Sequence, residues 1–199
     1  MSPIVVVPKP KKPEEIRICV DMRAPNKAIK RTRHVMPTID DIIVQLNQAK
    51  VFSKLDLNSG YHQLVLHEDS RNISTFATHV GLRRYKRLNF GVTSAAEIFQ
   101  NHIAELLSDI PNCMNISDDI LIFGKSQKEH DLALQKVFEL LREKQLTLNR
   151  AKCEFNKDSI DFLGSNSVSV VYQHPWIKSK QCTVSPSQRI QNKFEVFWG

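Results

Sequence analysis

The sequence predicts an α+β fold built on a split β-α-β unit. Three observations carry this: the element order between residues 51 and 155, two capping-box signals that fix where helices begin, and an acidic dipeptide between two short apolar runs. The first strand is Val51-Phe52-Ser53-Lys54-Leu55-Asp56-Leu57, where Leu55 and Leu57 face one way and Asp56 the other, because strand side chains alternate. A helix follows over Ser94–Leu107, with Ser94 and Glu97 as its capping box and Ala95, Ile98, Phe99, Ile103, Leu106 and Leu107 as its apolar stripe. Two strands then meet at Asp118-Asp119, within Asn115-Ile116-Ser117-Asp118-Asp119-Ile120-Leu121-Ile122-Phe123. A second helix opens at Ser126 with Glu129 as capping partner, and Leu134, Val137, Phe138 and Leu141 line its inner face. Leu146–Phe155 returns as the last strand. In this arrangement the first and third strands are central neighbours, so Asp56 and the Asp118 tip should converge.

The acidic tip points to a cation. Adjacent Asp118 and Asp119 repel each other, and hairpin turns favour Gly or Asn, so turn chemistry does not account for the pair. Mg²⁺ prefers carboxylate oxygens and usually takes one or two of them, filling its shell with water and substrate phosphates. A third carboxylate from Asp56 gives the pattern of a phosphoryl-transfer site. The second acidic pair, Asp40-Asp41, reads differently. Thr38 begins a helix with Asp41 at the capping-box position and Ile39, Ile42, Ile43 and Leu46 as its stripe, so these carboxylates belong to a helix start.

A net charge of +7 in 199 residues suits a polyanionic partner, as does the cluster Arg83, Arg84, Lys86 and Arg87 around Tyr85. On alternating strand positions some of these would track a nucleic-acid backbone while Tyr85 and Leu88 pack; taken alone, the stretch reads equally as a solvated basic strand. The seven histidines, among them His62, His67, His79, His102 and His130, show no paired metal spacing. Cys19, Cys113, Cys153 and Cys182 lie too far apart for a zinc motif; without a secretory signal they predict an intracellular, reduced chain. No apolar run approaches the roughly 20 residues of a membrane span.

Taken together, the motifs resemble the reverse transcriptases of Gypsy-type long-terminal-repeat retrotransposons, nearly unbroken from Ser2 to Gly164. They include Arg17-Ile18-Cys19-Val20-Asp21-Met22-Arg23, Phe52-Ser53-Lys54-Leu55-Asp56-Leu57 with Gly60-Tyr61-His62-Gln63, Thr75-Phe76-Ala77-Thr78, and Asn89-Phe90-Gly91-Val92. The Asp118-Asp119 hairpin, Leu148-Asn149 with Lys152-Cys153, and Phe162-Leu163-Gly164 complete the series. The resemblance implies right-hand polymerase fingers and palm over 1–164, with the palm core at about 51–164 and the thumb missing. It implies Asp56, Asp118 and Asp119 as catalytic ligands of two Mg²⁺ ions, and a template with primer (RNA or DNA) and deoxynucleotides as partners. Tyr61 matches the aromatic gate against a ribose 2′-hydroxyl, and Arg17 an arginine on the incoming triphosphate. Lys9, Lys11 and Lys12 lie close to where the family's fingers hold that group. Phe90 matches the nucleotide-pocket wall, Lys152 a lysine near departing pyrophosphate, and Phe162, Leu163 and Gly164 the turn that grips the primer end.

Two departures from the family pattern stand out. Ile116 replaces the usual aromatic before Ser117, and Ala96-Glu97 replaces a small residue and proline at the palm helix; neither touches a metal ligand. The N-terminus corresponds to a point some way inside the family's fingers. Residues 165–199, with Pro175, Pro186 and both tryptophans, leave the family pattern and predict a divergent, poorly ordered ending in which Val168, Val170, Val171 and Tyr172 could form one edge strand. Ribonuclease H and integrase domains, which usually follow in this family, are absent from the chain. Three readings are open at this point: an RNA-directed DNA polymerase domain, an inactive remnant that keeps the fold and nucleic-acid binding, and a plain α+β domain whose acidic tip binds a cation.

Overall fold

The computed structural model describes residues 2–9, 12–31, 39–116, 118–162 and 168–171. They fall into two compact units, one of residues 1–36 and 59–103, the other of 37–58 and 104–199.

The second unit is organised by a four-stranded antiparallel sheet in the order β6-β7-β3-β8, where β3 is Val51–Asp56, β6 Cys113–Ile116, β7 Asp119–Gly124 and β8 Glu154–Lys157. The predicted neighbours are present: β3 pairs with β7 from Val51↔Gly124 to Asp56↔Asp119. The period of two then sorts the side chains. Phe52, Leu121 and Phe123 join Ile42 of helix α2 (Ile39–Gln45) and Leu46 just beyond it in one apolar core, with Ala49, Ile116 and Ile160. Lys54, Asp56 and Asp119 share that face by register, toward its far end. The opposite face of β3 carries Ser53, Leu55 and Leu57, all buried.

Helix α4 (Gln127–Glu143) packs on β7 and β3 and starts as predicted at Ser126, whose Oγ accepts the Glu129 N–H. The Glu129 carboxylate reaches back one residue further than the usual box, to the Lys125 N–H at 3.0 Å. Its buried stripe is Ala133, Leu134, Val137 and Leu141 with His130; Phe138 is less enclosed and meets Phe155 ring to ring at 6.3 Å. His130 is wholly buried, and its Nε2 lies 2.8 Å from Ser53 Oγ. Ser53 Oγ accepts the Asn156 N–H at 3.1 Å, and His130 Nδ1 meets Asp131 Oδ1 at 2.9 Å. A proton on Nδ1 and the Ser53 hydroxyl donating to Nε2 satisfy every member. Serine, histidine and aspartate in this order resemble a nucleophilic triad, but Ser53 is sealed from solvent, so the set ties α4 to β3 and β8 instead.

Three predictions are corrected here. Leu146–Phe155 is not one strand: Leu148 makes an isolated bridge to Leu57, a 3-10 turn follows over Arg150–Lys152, and pairing resumes only at β8. The turn is held because Asn149 N–H donates to the Asp56 carbonyl at 2.9 Å and Lys152 N–H to that of Asn149. Helix α3 (Ala95–Leu107) buries Ala95, Phe99, Ile103 and Leu107, but Ile98 of the predicted stripe is exposed. The basic stretch is a strand only over Gly81–Arg83 (β5), paired with Phe76–Thr78 (β4); beyond it the chain is irregular. The predicted cap at Thr38 lies outside the described residues. Beyond β8, β9 (Ser159–Phe162) pairs antiparallel with β10 (Val168–Val171), the edge strand suggested by the valines. Tyr172 lies outside the described residues.

The first unit combines ribbons and turns with residues 95–103 of α3. Strands β1 (Ile4–Lys9) and β2 (Lys12–Val20) form an antiparallel pair, followed by the single-turn helix α1 (Arg23–Asn26). Gly60 opens a 3-10 turn after β3; a Cβ there would stand 2.9 Å from the Phe99 ring, which explains the glycine. Among the described residues, no helix is long and apolar enough to cross a membrane.

Candidate active site

Asp56 is the last residue of β3 and Asp119 the first of β7, directly opposite each other, while Asp118 occupies the turn between β6 and β7. Backbone bonds fix the tip: Leu57 N–H donates to the Asp118 carbonyl at 3.3 Å. Like charges directly across a ladder are destabilising. Two lysines answer them. Lys152 Nζ is 3.2 Å from Asp56 Oδ2, and Lys54 Nζ is 2.9 Å from Asp119 Oδ2.

The electrostatics follow. Burial raises the Asp56 carboxyl above the ordinary carboxylate range; Lys152 opposes the rise, the charge of Asp119 adds to it, and Lys54 opposes it in turn. Asp118 is also raised, first by desolvation among its neighbours although the residue is exposed, then by the charges of Asp119 and Asp56. Such a cluster favours a bound cation, since a positive charge relieves both repulsion and desolvation. The donor set fits a hard divalent ion: every candidate ligand is a carboxylate oxygen on a rigid strand end or tight turn. Among the described residues, no three His, Cys, Asp or Glu side chains close around one point as a ready-made cage. Asp56 and Asp119 are instead turned onto lysines. Lys54 went unnoticed in the sequence, although its place two residues before Asp56 sets it on the same face.

In the first unit, two other predicted residues come together. The Tyr61 ring lies 5.0 Å from that of Phe90 and 5.4 Å from that of Phe99, and His62 packs edge-on to Phe90 at 5.3 Å and stacks on Tyr85 at 6.1 Å. The loop bearing Phe90 is clamped by Asn26, whose Nδ2 donates to the Gly91 carbonyl at 2.8 Å while its Oδ1 accepts the Thr93 N–H at 3.0 Å. Of the four clustered cations, Arg83, Arg84 and Lys86 are exposed; Arg87 is exposed too, but its Nη1 donates to the His62 and Gln63 carbonyls and so braces the chain. Arg84 donates to Asn72 Oδ1. Arg17 lies on β2 opposite Val7, and Lys9 and Lys12 pair at the ribbon's end. Phe162 ends β9. Lys11, Leu163 and Gly164 lie outside the described residues.

Comparison with known proteins places this geometry. The family described as "Reverse transcriptase (RNA-dependent DNA polymerase)" matches residues 7–167. The "Retrovirus-related Pol polyprotein from transposon 412" of Drosophila melanogaster is 38% identical over 169 residues, covering 82% of this chain and 14% of that protein. The corresponding polyprotein from transposon gypsy, of the same organism, is 33% identical over 150 residues, covering 74% of this chain and 14% of its own length. The chain thus spans about one seventh of these relatives. Among solved structures, the foamy viral protease-reverse transcriptase in complex with double-stranded DNA superposes with a TM-score of 0.75 at 28% identity, over 85% of this chain and 29% of that one. The same viral protein with an RNA/DNA hybrid gives 0.74 at 28% identity, over 85% and 22%. The chain belongs to the reverse transcriptase (RNA-dependent DNA polymerase) family, as a domain of the Gypsy-like retrotransposon kind with an α+β palm-and-fingers fold.

Proposed function

We propose that this chain adds deoxynucleotides to a primer 3′-hydroxyl on a nucleic-acid template, with Asp56, Asp118 and Asp119 as the carboxylates that hold two Mg²⁺ ions. The observation that carries this reading is the register that sets Asp56 against Asp119 beside a turn bearing Asp118. Three oxygen-donor side chains on one sheet end create negative potential that only cations relieve. When bound, the ions supply a lowered pKa for the primer hydroxyl and charge neutralisation on the triphosphate, so that no protein nucleophile is required.

The chain's own residues then bind, orient and select. Tyr61, braced by Phe90 and Phe99, offers a rigid ring edge suited to excluding a ribose 2′-hydroxyl. Asn26 fixes the loop that carries Phe90. Lys152, already paired with a carboxylate, is long and exposed enough to transfer its ammonium to departing pyrophosphate. Arg17, Lys9, Lys11 and Lys12 are assigned to the triphosphate, and Phe162, Leu163 and Gly164 to the primer, by family resemblance alone. Arg83, Arg84 and Lys86 are the exposed cations for the template backbone; Arg87 joins them only by giving up its carbonyl partners. Binding of this kind weakens steeply with salt. The foamy viral relatives, solved with double-stranded DNA and with an RNA/DNA hybrid, support a nucleic-acid partner.

The test is primer extension on an RNA template with Mg²⁺ and deoxynucleotides at low salt, comparing the chain with Asp118→Asn. Extension that is lost by at least about 100-fold in the variant is the expected result, given what removing one charge-stabilising group costs at such sites. If neither protein extends while both bind primer-template, the polymerase reading gives way to that of a remnant.

A further inference from the structure

Lys54 is the residue of the acidic cluster with no assigned role. Its ammonium has two candidate carboxylates. Glu154 stands directly opposite it on β8, yet the ammonium sits 2.9 Å from Asp119 Oδ2, diagonally across the β3-β7 ladder. A second contact anchors it there: Nζ donates to the Asp161 carbonyl of β9 at 3.3 Å. Lys54 is 19% exposed against 65% for Lys152. The two lysines therefore differ. Lys152 can swing into water at little cost, whereas Lys54 is held from two sides and its stem is packed on the sheet.

We propose that Lys54 is a built-in counter-ion that neutralises Asp119, keeping the acidic hairpin closed onto β3 without metal and holding the divalent-cation affinity of the cluster down. The inference rests on the reading of Asp56, Asp118 and Asp119 as a cation site. Physically, a fixed positive charge beside carboxylate ligands acts twice. It repels an incoming divalent ion, and it occupies the Asp119 oxygen that would otherwise be free to ligate. Removing it should open Asp119 to the metal and, at the same time, leave Asp119 facing Asp56 with one cation fewer between them. Metal affinity and metal-free stability are then expected to move in opposite directions, which loss of ordinary packing does not produce.

The experiment uses the full chain and Mn²⁺ alone, with free Mn²⁺ followed by electron paramagnetic resonance and thermal melting recorded in EDTA. Lys54→Met is expected to bind Mn²⁺ on the order of tenfold more tightly than the unaltered chain, the scale of removing one charge about 6 Å from a divalent ion in a water-like dielectric. Its melting point without metal should fall, and Mn²⁺ should raise it by more than in the unaltered chain. Lys54→Arg keeps the charge and should do neither; Lys54→Gln serves if the methionine variant fails to fold. Asp118→Asn identifies the site, because it should weaken uptake. Equal or weaker Mn²⁺ binding by folded Lys54→Met and Lys54→Gln, with normal uptake by the unaltered chain, overturns the inference alone. An unaltered chain that takes up no Mn²⁺, or whose uptake Asp118→Asn leaves unchanged, overturns the cation-site reading and this inference together.

Discussion

The two units hold their candidate residues by opposite means. In the second, Phe52, Leu55, Ile120, Leu121 and Ile122 are all buried in a four-stranded sheet covered by helices, and the acidic residues extend those same strands. In the first, the β1-β2 ribbon leaves Val6, Ile16 and Ile18 55–60% exposed, and Tyr61, His62 and Phe90 stand on turns. There, order comes from side chains that grip backbone: Asn26 on Gly91 and Thr93, Arg87 on His62 and Gln63, Arg71 on Leu66. Carboxylates proposed to share cations need positions fixed to a fraction of an ångström, which buried strands provide. A wall proposed to close around a nucleotide can rest on polar clamps. The contrast implies that single substitutions should cost far more in the second unit than in the first.

The largest effect is expected at Gly124, the end of β7. A Cβ there would lie 2.6 Å from His130 N and 2.8 Å from the Ser126 carbonyl oxygen, both backbone atoms of the α4 start. Neither can yield without moving the helix. Gly124→Ala should therefore cost about 3 kcal/mol or more in chemical denaturation. Gly60→Ala in the first unit meets the tip of the buried Phe99 ring at 2.9 Å, a side-chain atom rather than helix backbone, so the ring must shift but no helix need move, and the cost should be less. Equal losses at the two glycines would remove the contrast between the units.

Ser53→Ala is the intermediate case. It takes the partner from both His130 Nε2 and the Asn156 N–H while leaving volume nearly unchanged. Leaving the buried His130 nitrogen unsatisfied costs about 1–3 kcal/mol. Amide exchange should accelerate at Asn156 and through the first turn of α4. Unchanged exchange there would mean that packing, rather than this relay, fastens α4 to β3.

Much of the second unit was legible in the sequence because period-two alternation and capping boxes are local signals. Ser126 with Glu129 located α4, and the strand-helix-strand-strand order set β3 beside β7. Long-range consequences were less visible. Alternation assigns Lys54 a face, but only the register shows it diagonal to Asp119. His130 falls on the apolar stripe of α4 and reads as a surface or packing residue until Ser53 is seen to meet it. Lys152 matched a family position, yet its present partner, Asp56, comes from the turn at Asn149 that interrupts the predicted strand. The first unit was harder still. Arg87 resembles its cationic neighbours in sequence, and only its carbonyl partners separate it from them.

The smallest effect belongs to a local pair in the first unit, where the pH dependence can be signed. Arg23 Nε lies 3.0 Å from both Asp21 carboxylate oxygens and its Nη2 2.6 Å from Oδ2, which lowers the Asp21 carboxyl from 3.8 to about 2, chiefly through those hydrogen bonds. A carboxylate with a depressed folded value contributes stability above its unfolded value, lost as pH falls through the folded one. The contribution is therefore complete above about pH 4 and disappears between 4 and 2. Because the Arg23 side chain is almost fully in solvent, water and salt screen the pair, and Asp21→Asn should shift the neutral-pH melting point by no more than about 2 °C. The sharper readout is the carboxyl itself. By NMR, Asp21 should titrate near 2 and return toward 3.8 in Arg23→Gln. A titration that stays near 2 without the guanidinium would place the cause in the surrounding backbone and give this unit a rigidity that its exposed ribbon does not suggest.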